Sequence, residues 1–567
     1  MRFEGLANEI LLEIFEYLDV ITLFRSFLQL NDRFNRIIFD EHRRLFLNFN
    51  SIKKCDFDEF CEENLSLIIN QITSLHLSND IETPNLPQIL FENGYPIHRF
   101  SGLCSLSMDF IQSFQFINEI TLQTRELRHL TYLNIKFDND SYTEENFDNL
   151  VDTLWSLPSL IVCHLDMNYP YATWSSTMSA ISNSIKVLST KNITHNTFTL
   201  PVLFRHTPNL KELHQGKLEQ YDELPNEMIC PLIKSLAVYI QSSIELMIDL
   251  FKKFPNLTSL ILSTAQLQID GRQLEQILQT CFTYLRHFRC EISFDFSSSN
   301  DIQQIVDSFR SPYWIEQHQW FVRCDWNPNG REQVAILHTL PYPFKNFTYI
   351  DGRCSQTTSS NPLNSSSSYQ TVHKLEYKDQ KSLPSTCIMQ FENLHHLTIK
   401  LPLKDSFWSI VPRFDNLIHV DVTLSRNLSV YQLQDLLDRA TRLYSIRIYY
   451  LNNFSMASLN VRSVSVRRLE FIHELGYQTH CFYSEDYTIL ARSSLGMRCE
   501  VLKIVVHNQD TIIAIIRTMP NLRALSVRSR QLTPNELREL LDLNGFFSST
   551  FLITSNSDSS IQIDIWL

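Results

Sequence analysis

The sequence predicts an α/β fold: a short all-helical module, then a long array in which short parallel strands alternate with helices. Three observations support this prediction. A six-residue apolar pattern recurs through most of the 567 residues, apolar residues at helical spacing lie between its copies, and the first forty residues follow neither rule. No single copy is large enough to bury its own apolar face, so neighbouring copies must stack.

The recurring pattern begins near residue 70 and reads apolar, two variable residues, apolar, one variable residue, apolar. Copies at 257–262, 394–399 and 522–527 show it clearly. The middle apolar residue of each copy, here called the marker, recurs every 22 to 34 residues, and most steps are 22 to 28. The markers are Leu75, Leu106, Leu133, Cys163, Leu188, Leu213, Leu236, Leu260, Phe288, Phe347, Leu375, Leu397, Val420, Ile446, Leu469, Leu502 and Leu525, with Val322 and Leu552 as weaker members.

Many segments between markers carry the spacing of an amphipathic helix. Apolar residues stand at i, i+3, i+4 and i+7, which places all four on one helix face. Several segments end in Pro-Asn-Leu, where proline stops the helix before the next strand begins. The quartets are Phe147/Leu150/Val151/Leu154, Ile244/Met247/Ile248/Phe251, Leu274/Ile277/Leu278/Cys281, Ile302/Ile305/Val306/Phe309, Leu433/Leu436/Leu437/Ala440 and Ile512/Ile515/Ile516/Met519.

The period of the array resembles that of leucine-rich repeats, which is about 20–29 residues. The resemblance implies a leucine-rich-repeat solenoid, shaped as a horseshoe, with short parallel strands inside and helices outside. The alternative is a doubly wound α/β domain, which also alternates strands with helices. The strands here are too short and too numerous for one open sheet, and the sequence lacks the glycine turns that such domains use for cofactors.

Composition divides the array into two parts. Residues 311–330 hold Trp314, Trp320 and Trp326 without a good leucine frame, and 355–368 is a Ser-rich stretch of low complexity. We interpret the tryptophans as packing residues of an irregular junction; the alternative is a binding role. The predicted organisation is a helical module at 1–48, a first repeat segment at 49–310, an irregular seam with a Ser-rich loop at 311–370, and a second repeat segment at 371–567.

The first forty residues contain three helical segments with more apolar residues than one buried face needs. The first runs from Leu6 to Leu18, with Asn8 as N-cap and Glu9 in the first turn. Seven of the eleven residues at 8–18 are apolar, and the other segments are 21–30 and 32–39. Such short helices cannot hide this surface unaided, so one face must meet a partner. A terminal cap of the array, which is the alternative, would present a polar outer face.

This segment resembles an F-box. The resemblance is carried by Leu6-Ala7-x-Glu9-Ile10-Leu11-x-x-Ile14-Phe15-x-Tyr17-Leu18, followed by Leu23-Phe24 and Asn31-Asp32-Arg33-Phe34. The family usually has Leu-Pro in place of Leu6-Ala7 and tryptophan in place of Phe34. The resemblance implies a three-helix F-box that docks onto the Skp-type adaptor of a cullin-based ubiquitin ligase. The adaptor-binding residues that it implies are Leu6, Ala7, Glu9, Ile10, Ile14, Phe15, Leu18, Leu23, Phe24 and Phe27.

Composition and motif content argue against several other functions. The chain has 49 Lys and Arg against 62 Asp and Glu, a formal charge of −13, so binding to nucleic acid or to an anionic membrane is not expected. It contains no Cys-x-x-Cys, phosphate-binding glycine loop or familiar catalytic motif. We therefore expect a cytoplasmic or nuclear protein that is not an enzyme and holds no cofactor or metal.

The residue between the last two apolar positions of each copy should point away from the core, because side chains alternate along a strand. In the first eight copies this residue is never Asp, Glu, Lys or Arg, whereas from Arg289 onward six of nine are charged. We expect these six to contact a protein target; the alternative is an ordinary solvated sheet. They are Arg289, Glu376, Asp421, Arg447, Glu470 and Lys503.

Taken with the F-box resemblance, the repeat array predicts the substrate receptor of a cullin-type ubiquitin ligase. The F-box would hold the adaptor and, through it, a cullin, while the solenoid would hold an unidentified target protein. One rival is a repeat scaffold outside the ligase system, with a divergent F-box that binds something else. The second rival is an enzyme with an unfamiliar site, for which the sequence offers no positive feature.

Overall fold

The fold is described from a computed structural model of the 567-residue chain. The structure describes residues 3–39, 44–138, 144–167, 172–173, 178–191, 193–194, 199–218, 228–241, 243–265, 267–328, 333–359, 368–379, 389–424, 430–450, 454, 456–473, 482, 484–506, 508–529, 539, 543–545, 550–555 and 561–567. Over these residues the protein is a mixed α/β fold with many parallel strands in large sheets.

The helices are short, and most of them precede a strand. The α-helices are α1 (Asn8–Glu16), α2 (Val20–Phe27), α3 (Asp32–Ile38), α4 (Lys54–Phe60), α5 (Ser66–Ile68), α6 (Leu86–Glu92), α7 (Phe114–Thr124), α8 (Glu144–Trp155), α9 (Thr199–His206), α10 (Ile244–Lys252), α11 (Gly271–Cys281), α12 (Ser299–Ser308), α13 (Ser406–Ile410), α14 (Val430–Arg439), α15 (Ser484–Arg492) and α16 (Gln509–Thr518). Short 3-10 or π turns occupy Phe3–Gly5, Cys61–Leu65, Ile69–Gln71, Ile97–Arg99, Tyr313–Gln317, Met456–Ser458 and Gly496–Arg498.

The strands are also short, from two to nine residues. They are β1 (Leu45–Asn48), β2 (Ile72–Ser78), β3 (Ser105–Ile111), β4 (Tyr132–Phe137), β5 (Val162–Met167), β6 (Ala172–Thr173), β7 (Val187–Lys191), β8 (Ile193–Thr194), β9 (Glu212–Leu218), β10 (Ser235–Ile240), β11 (Ser259–Ala265), β12 (His287–Asp295), β13 (Phe321–Trp326), β14 (Val334–Leu340), β15 (Asn346–Ile350), β16 (Cys354–Thr357), β17 (Lys374–Lys378), β18 (His396–Leu401), β19 (His419–Leu424), β20 (Ser445–Tyr450), β21 (Arg468–His473), β22 (Val501–Val505), β23 (Ala524–Ser529), β24 (Thr550–Ser555) and β25 (Ile561–Trp566).

The chain divides into two compact units, Met1–Tyr239 with Asp249–Leu257, and Ile240–Ile248 with Thr258–Leu567. In the first unit β1, β2, β3, β4, β5, β7 and β9 pair as parallel neighbours in that order. The predicted markers stand side by side in this ladder and are buried. They are Leu75, Leu106, Leu133, Cys163, Leu188 and Leu213. The sequence pattern therefore predicted the strand register to the residue.

The second unit contains a ten-stranded sheet with the same marker register. Its parallel run is β15, β17, β18, β19, β20, β21, β22 and β23, after which β25 and β24 pair antiparallel. The aligned markers, all buried, are Phe347, Leu375, Leu397, Val420, Ile446, Leu469, Leu502 and Leu525. A parallel ladder keeps equivalent residues opposite one another, so one apolar row runs through the sheet.

The predicted seam breaks the parallel order. In the second unit β11 pairs parallel with β12, but β14 runs antiparallel to both β12 and β13, and β16 runs antiparallel to β13. Val322 and Leu552 lie on antiparallel strands, so their assignment as repeat markers is wrong. Trp314, Trp320 and Trp326 are buried, which is the packing role expected of them.

The prediction of a loop over 355–368 is wrong for residues 355–357, which belong to a strand. Residues 354–357 form β16, in which Thr357 lies opposite Arg323 and Cys354 opposite Trp326. Residues 360–367 lie outside the described part of the chain. A deletion of 355–368 would therefore remove paired strand residues, and we expect it to destabilise the second unit.

The predicted helical faces are buried in most cases. All four residues of the quartets in α8, around α14 and around α16 are buried. In α10 the buried face is shifted by one position: Leu246, Met247, Leu250 and Phe251 are buried, while Ile244 and Ile248 are only half-buried. Both sets have helical spacing, because six of the nine residues in this helix are apolar. No helix in the described ranges combines the length and the apolar character needed to cross a membrane.

Candidate functional site

The N-terminal module has a small aromatic core of its own. Phe15 on α1 lies 4.7 Å from the Phe27 ring and 6.2 Å from the Phe34 ring, measured between centroids. Leu11 and Leu23 are buried beside them. Two helix starts are capped: Asp19 accepts from the Thr22 N–H at 2.9 Å, and Asn31 accepts from the Phe34 N–H at 2.9 Å. These contacts hold three short helices together.

The start of α1 differs from the prediction. Asn8 is the first residue of the helix rather than its N-cap, which is Ala7 with a φ of −65° and no side-chain cap hydrogen bond. The prediction was wrong because the Asn8 side chain has another partner: its Oδ1 accepts from Arg33 Nε at 2.8 Å. The same guanidinium donates to the carbonyl oxygens of Glu4 at 2.6 Å and Leu6 at 2.5 Å. Arg33 of α3 therefore fixes the chain that leads into α1.

The predicted adaptor-binding residues divide between the core and the surface. Phe15, Leu23 and Phe24 are buried, Leu6, Ile14, Leu18 and Phe27 are half-buried, and Ala7, Glu9 and Ile10 are exposed. Tyr17, just beyond α1, is 91% exposed and Ile10 is 45% exposed. Ile10, Ile14 and Tyr17 follow i, i+4 and i+7 and lie on one helix face. Phe3 and Leu30 add exposed apolar surface to the module.

Phe24 connects the module to the rest of the first unit. Its ring packs edge-on against Phe60 of α4, with the centroids 5.7 Å apart, and Arg25 forms an ion pair with Asp56. Within the predicted 1–48 segment, β1 pairs with β2 and so belongs to the sheet. The helical part of that segment ends at Ile38.

The predicted target-binding residues of the second unit lie in one row across neighbouring strands. Asp421, Arg447, Glu470 and Lys503 are direct register partners. Arg447 Nε lies 2.8 Å from Glu470 Oε2, and Arg447 Nη1 lies 3.6 Å from Asp421 Oδ2. His396 and Arg468 extend the network through contacts of 3.0 Å to Asp421 and 2.5 Å to Glu470. We call Asp421, Arg447, Glu470, Lys503, His396 and Arg468 the charge ladder.

The charge ladder is more buried than the sequence suggested. Glu470 is 2% exposed, and Asp421 is also buried. Burial alone would raise the pKa of Glu470, but the charges of Arg468 and Arg447 outweigh it and lower that pKa to about 2. Glu470 is therefore ionised at neutral pH and paired within the sheet. Reversing Asp421, Arg447 and Glu470 together would disrupt this pairing as well as any target contact.

The other two predicted target contacts lie elsewhere in the second unit. Arg289 on β12 is exposed. Glu376 on β17 is half-buried; it accepts from the Thr348 hydroxyl at 3.1 Å and lies 3.1 Å from Lys378 Nζ. Of the six predicted residues, Arg289 is therefore the best placed for a test by charge reversal, because it is exposed and lies outside the charge ladder.

A pocket of about 330 Å³ lies in the second unit, among residues of β12, β13, β14, β15 and β17. Its polar lining includes Glu291, Asp325, His338, Arg353, Lys374 and Glu376. Only Glu376 was predicted as a site residue. Asp325, His338 and Arg353 lie where the leucine frame fails, whereas Glu291 and Lys374 lie on marker strands but not at the one outward position that the pattern singles out. A signal in the sequence exists only at 321–326, where Arg323 and Asp325 alternate with apolar residues; the segment 334–340 shows no such alternation.

No family model matches the sequence, and no curated protein matches it significantly. In the described part of the chain, no three His, Cys, Asp or Glu side chains are grouped as a metal ion would require.

Proposed function

We propose that this chain is the substrate-recognition subunit of a cullin-type ubiquitin ligase. The N-terminal module acts as an F-box that binds a Skp-type adaptor, and the strand–helix array is a leucine-rich-repeat solenoid that binds a target protein. The chain itself makes and breaks no bond. It accelerates ubiquitin transfer by holding the target near the activated ubiquitin, since proximity removes much of the entropic barrier.

The observation that carries the proposal is the two-sided apolar character of α1. Leu11 and Phe15 hold the helix onto the module, while Ile10 and Tyr17 remain exposed on the other side. Exposed apolar residues that cluster on one helix face are typical of protein-binding sites. Tyrosine and isoleucine in such a face can bury large areas against a partner groove.

The Arg33 contacts support the same proposal. The F-box family usually begins its first helix after proline, whose ring fixes φ near −65°. Ala7 has this φ without the ring, and the Arg33 guanidinium holds residues 4–8 in place through three hydrogen bonds. The start of α1 is thus pre-organised by the Arg33 hydrogen bonds instead of by a proline ring. Pre-organisation lowers the entropy lost on binding.

The departures at Ala7 and Phe34 favour one alternative, a repeat scaffold whose divergent module binds something other than an adaptor. Phenylalanine at position 34, where the family usually has tryptophan, still packs in the aromatic core. The centroid of the Phe34 ring lies 5.7 Å from that of Phe27. The two proposals share the fold and differ in the partner. Co-purification therefore discriminates between them.

The test is affinity purification of the full-length chain from its own cells, followed by mass spectrometry. The ligase proposal predicts recovery of a Skp-type adaptor and a cullin. The Ile10→Asp, Tyr17→Asp double variant should lose both, because charge is placed on an exposed apolar face without touching the core. Leu67→Asp and Tyr284→Asp alter other exposed apolar residues and should lose neither. Recovery of partners without an adaptor or cullin would favour the scaffold.

For the target surface, Arg289→Glu should weaken target capture while leaving adaptor recovery unchanged. The matched control is the conservative variant Arg289→Lys, which keeps the charge. Unchanged capture by the reversed variant would place the target elsewhere on the chain.

A further inference from the structure

The pocket of about 330 Å³ in the second unit contains polar atoms that the proposed ligase function does not use. Asp325 and His338 lie on adjacent antiparallel strands and are both almost fully buried. Asp325 Oδ1 accepts from Arg323 Nε at 3.0 Å, and His338 Nε2 lies 3.2 Å from the Tyr369 hydroxyl. Each side chain therefore has one satisfied atom.

The second polar atom of each side chain makes no hydrogen bond to any described residue. Within the described ranges, Asp325 Oδ2 and His338 Nδ1 form no hydrogen bond. They lie 4.0 Å apart, which is too far for a hydrogen bond between them. Buried polar atoms are nearly always paired, because an unpaired one has lost its hydration without compensation. Both residues line the pocket, so a group bound there could pair with both atoms.

The chemistry of these two atoms specifies a hydrogen-bond donor. Burial lowers the pKa of His338 to about 4, so its ring is neutral at physiological pH. His338 Nδ1 is an acceptor in the tautomer that carries its proton on Nε2 and donates it to the Tyr369 hydroxyl, and this is the tautomer that a donor group would bind. A carboxylate oxygen also only accepts. An ammonium group has three N–H donors and could serve both atoms.

The rest of the lining has charges of both signs. Glu291 and Glu376 are acidic, and Arg353 and Lys374 are basic. A ligand with only a positive charge would be repelled by the two basic side chains. A ligand with only a negative charge would be repelled by the carboxylates. A ligand with one charge of each sign avoids both conflicts. The volume is near the lower end of the range of about 300–1,000 Å³ typical of ligand pockets, which suits a small molecule.

We propose that this pocket binds a small zwitterion of the α-amino-acid class. The ligand's ammonium group donates to Asp325 Oδ2 and His338 Nδ1, and its carboxylate pairs with Arg353 and Lys374. This site is additional to the proposed adaptor and target surfaces and does not depend on the ligase function.

The test uses the full chain and each common L-amino acid in turn at millimolar concentration. A ligand that binds the folded state raises the melting temperature in a saturable way, and calorimetry then gives its Kd. The best amino acid is compared with its N-acetyl and methyl-ester forms, each of which lacks one charge. Each blocked form should bind at least about tenfold more weakly, because a charge-assisted hydrogen bond is lost.

The variant Ile336→Phe places a larger apolar side chain into the pocket wall and should abolish binding. Ile261→Phe makes the same change at a half-buried strand residue outside the pocket lining and should leave binding intact. No shift with any amino acid would overturn the proposal and indicate a water-filled pocket. Equal binding of the blocked forms would also overturn it, and this comparison remains decisive if Ile336→Phe fails to fold.

Discussion

The charge ladder should stabilise the folded second unit by an amount that can be estimated. The substitution Glu470→Gln tests this estimate most directly. Glu470 is 2% exposed and is held by Arg447 Nε at 2.8 Å and Arg468 Nη2 at 2.5 Å. Glutamine has nearly the same shape, so packing is preserved. What is lost is one buried negative charge between two cations.

The magnitude follows from burial and from the pKa. Removing one partner of a buried ion pair costs roughly 3–5 kcal/mol. The side chains of Arg447 and Arg468 are 34% and 18% exposed, so water can partly rehydrate them, and the lower end applies. The pKa of Glu470 falls from 4.5 to about 2, which at ~1.4 kcal/mol per unit gives a similar figure of about 3 kcal/mol.

The assay is hydrogen exchange of the β20 and β21 amides together with urea denaturation of the full chain. Both measurements are made on the wild type and on Glu470→Gln. The folded pKa lies below the ordinary value, so the stabilisation is fully present above pH 4.5 and is lost as the pH falls toward 2. The difference between wild type and Glu470→Gln should therefore be constant near neutral pH and shrink below pH 4.5. Exchange in β20 and β21 reports the local free energy directly.

Glu376→Gln is the matched control. Glu376 belongs to the same row of outward residues, but its side chain is 39% exposed beside Lys378. Its ion pair should contribute no more than about 1 kcal/mol. If the two variants lost equal stability, or if the Glu470→Gln deficit did not depend on acid pH, the argument from burial would be refuted.

Three further predictions concern the N-terminal module. Ala7→Pro should stabilise it by about 0.4–1 kcal/mol, since Ala7 already has a φ of −65°; a lower melting temperature would contradict this. Phe15→Ala should cost about 3–5 kcal/mol and unfold the module, because Phe15 is buried. Limited proteolysis within 3–38 would show this, and resistance equal to wild type would count against it. Arg33→Ala should weaken adaptor affinity measurably, since three hydrogen bonds to residues 4–8 are lost; unchanged affinity would remove Arg33 from the docking argument.

Much of the fold was predictable because the repeat imposes one residue frame on many strands. Leu397 lies opposite Val420 and Val420 opposite Ile446, as the marker pattern requires. The frame fails between β12 and β15, where antiparallel pairing replaces parallel pairing. Val322 lies on β13, which pairs antiparallel with both of its neighbours, so it is outside the parallel row of markers.

The candidate sites were less predictable, since side-chain pairing depends on neighbours far away in sequence. Parallel strands place residues in the same register about 4.8 Å apart, which brings Arg447 between Asp421 and Glu470. The sequence identified these residues as outward-facing. It could not show that their opposite charges would pair across the strands and become buried. Nor could the sequence show that the Asn8 side chain would accept a hydrogen bond from Arg33 instead of capping α1.

Binding of the purified full chain to a purified Skp-type adaptor from the same cells tests the central claim most directly. The ligase proposal predicts saturable one-to-one binding by calorimetry. It also predicts that the Ile10→Asp, Tyr17→Asp double variant binds at least about thirtyfold more weakly. This factor corresponds to about 2 kcal/mol, the loss expected for one hot-spot residue. Leu67→Asp, which changes an exposed apolar residue on α5, should bind as wild type does. No binding by a folded chain, or equal binding by the double variant, would contradict the proposal.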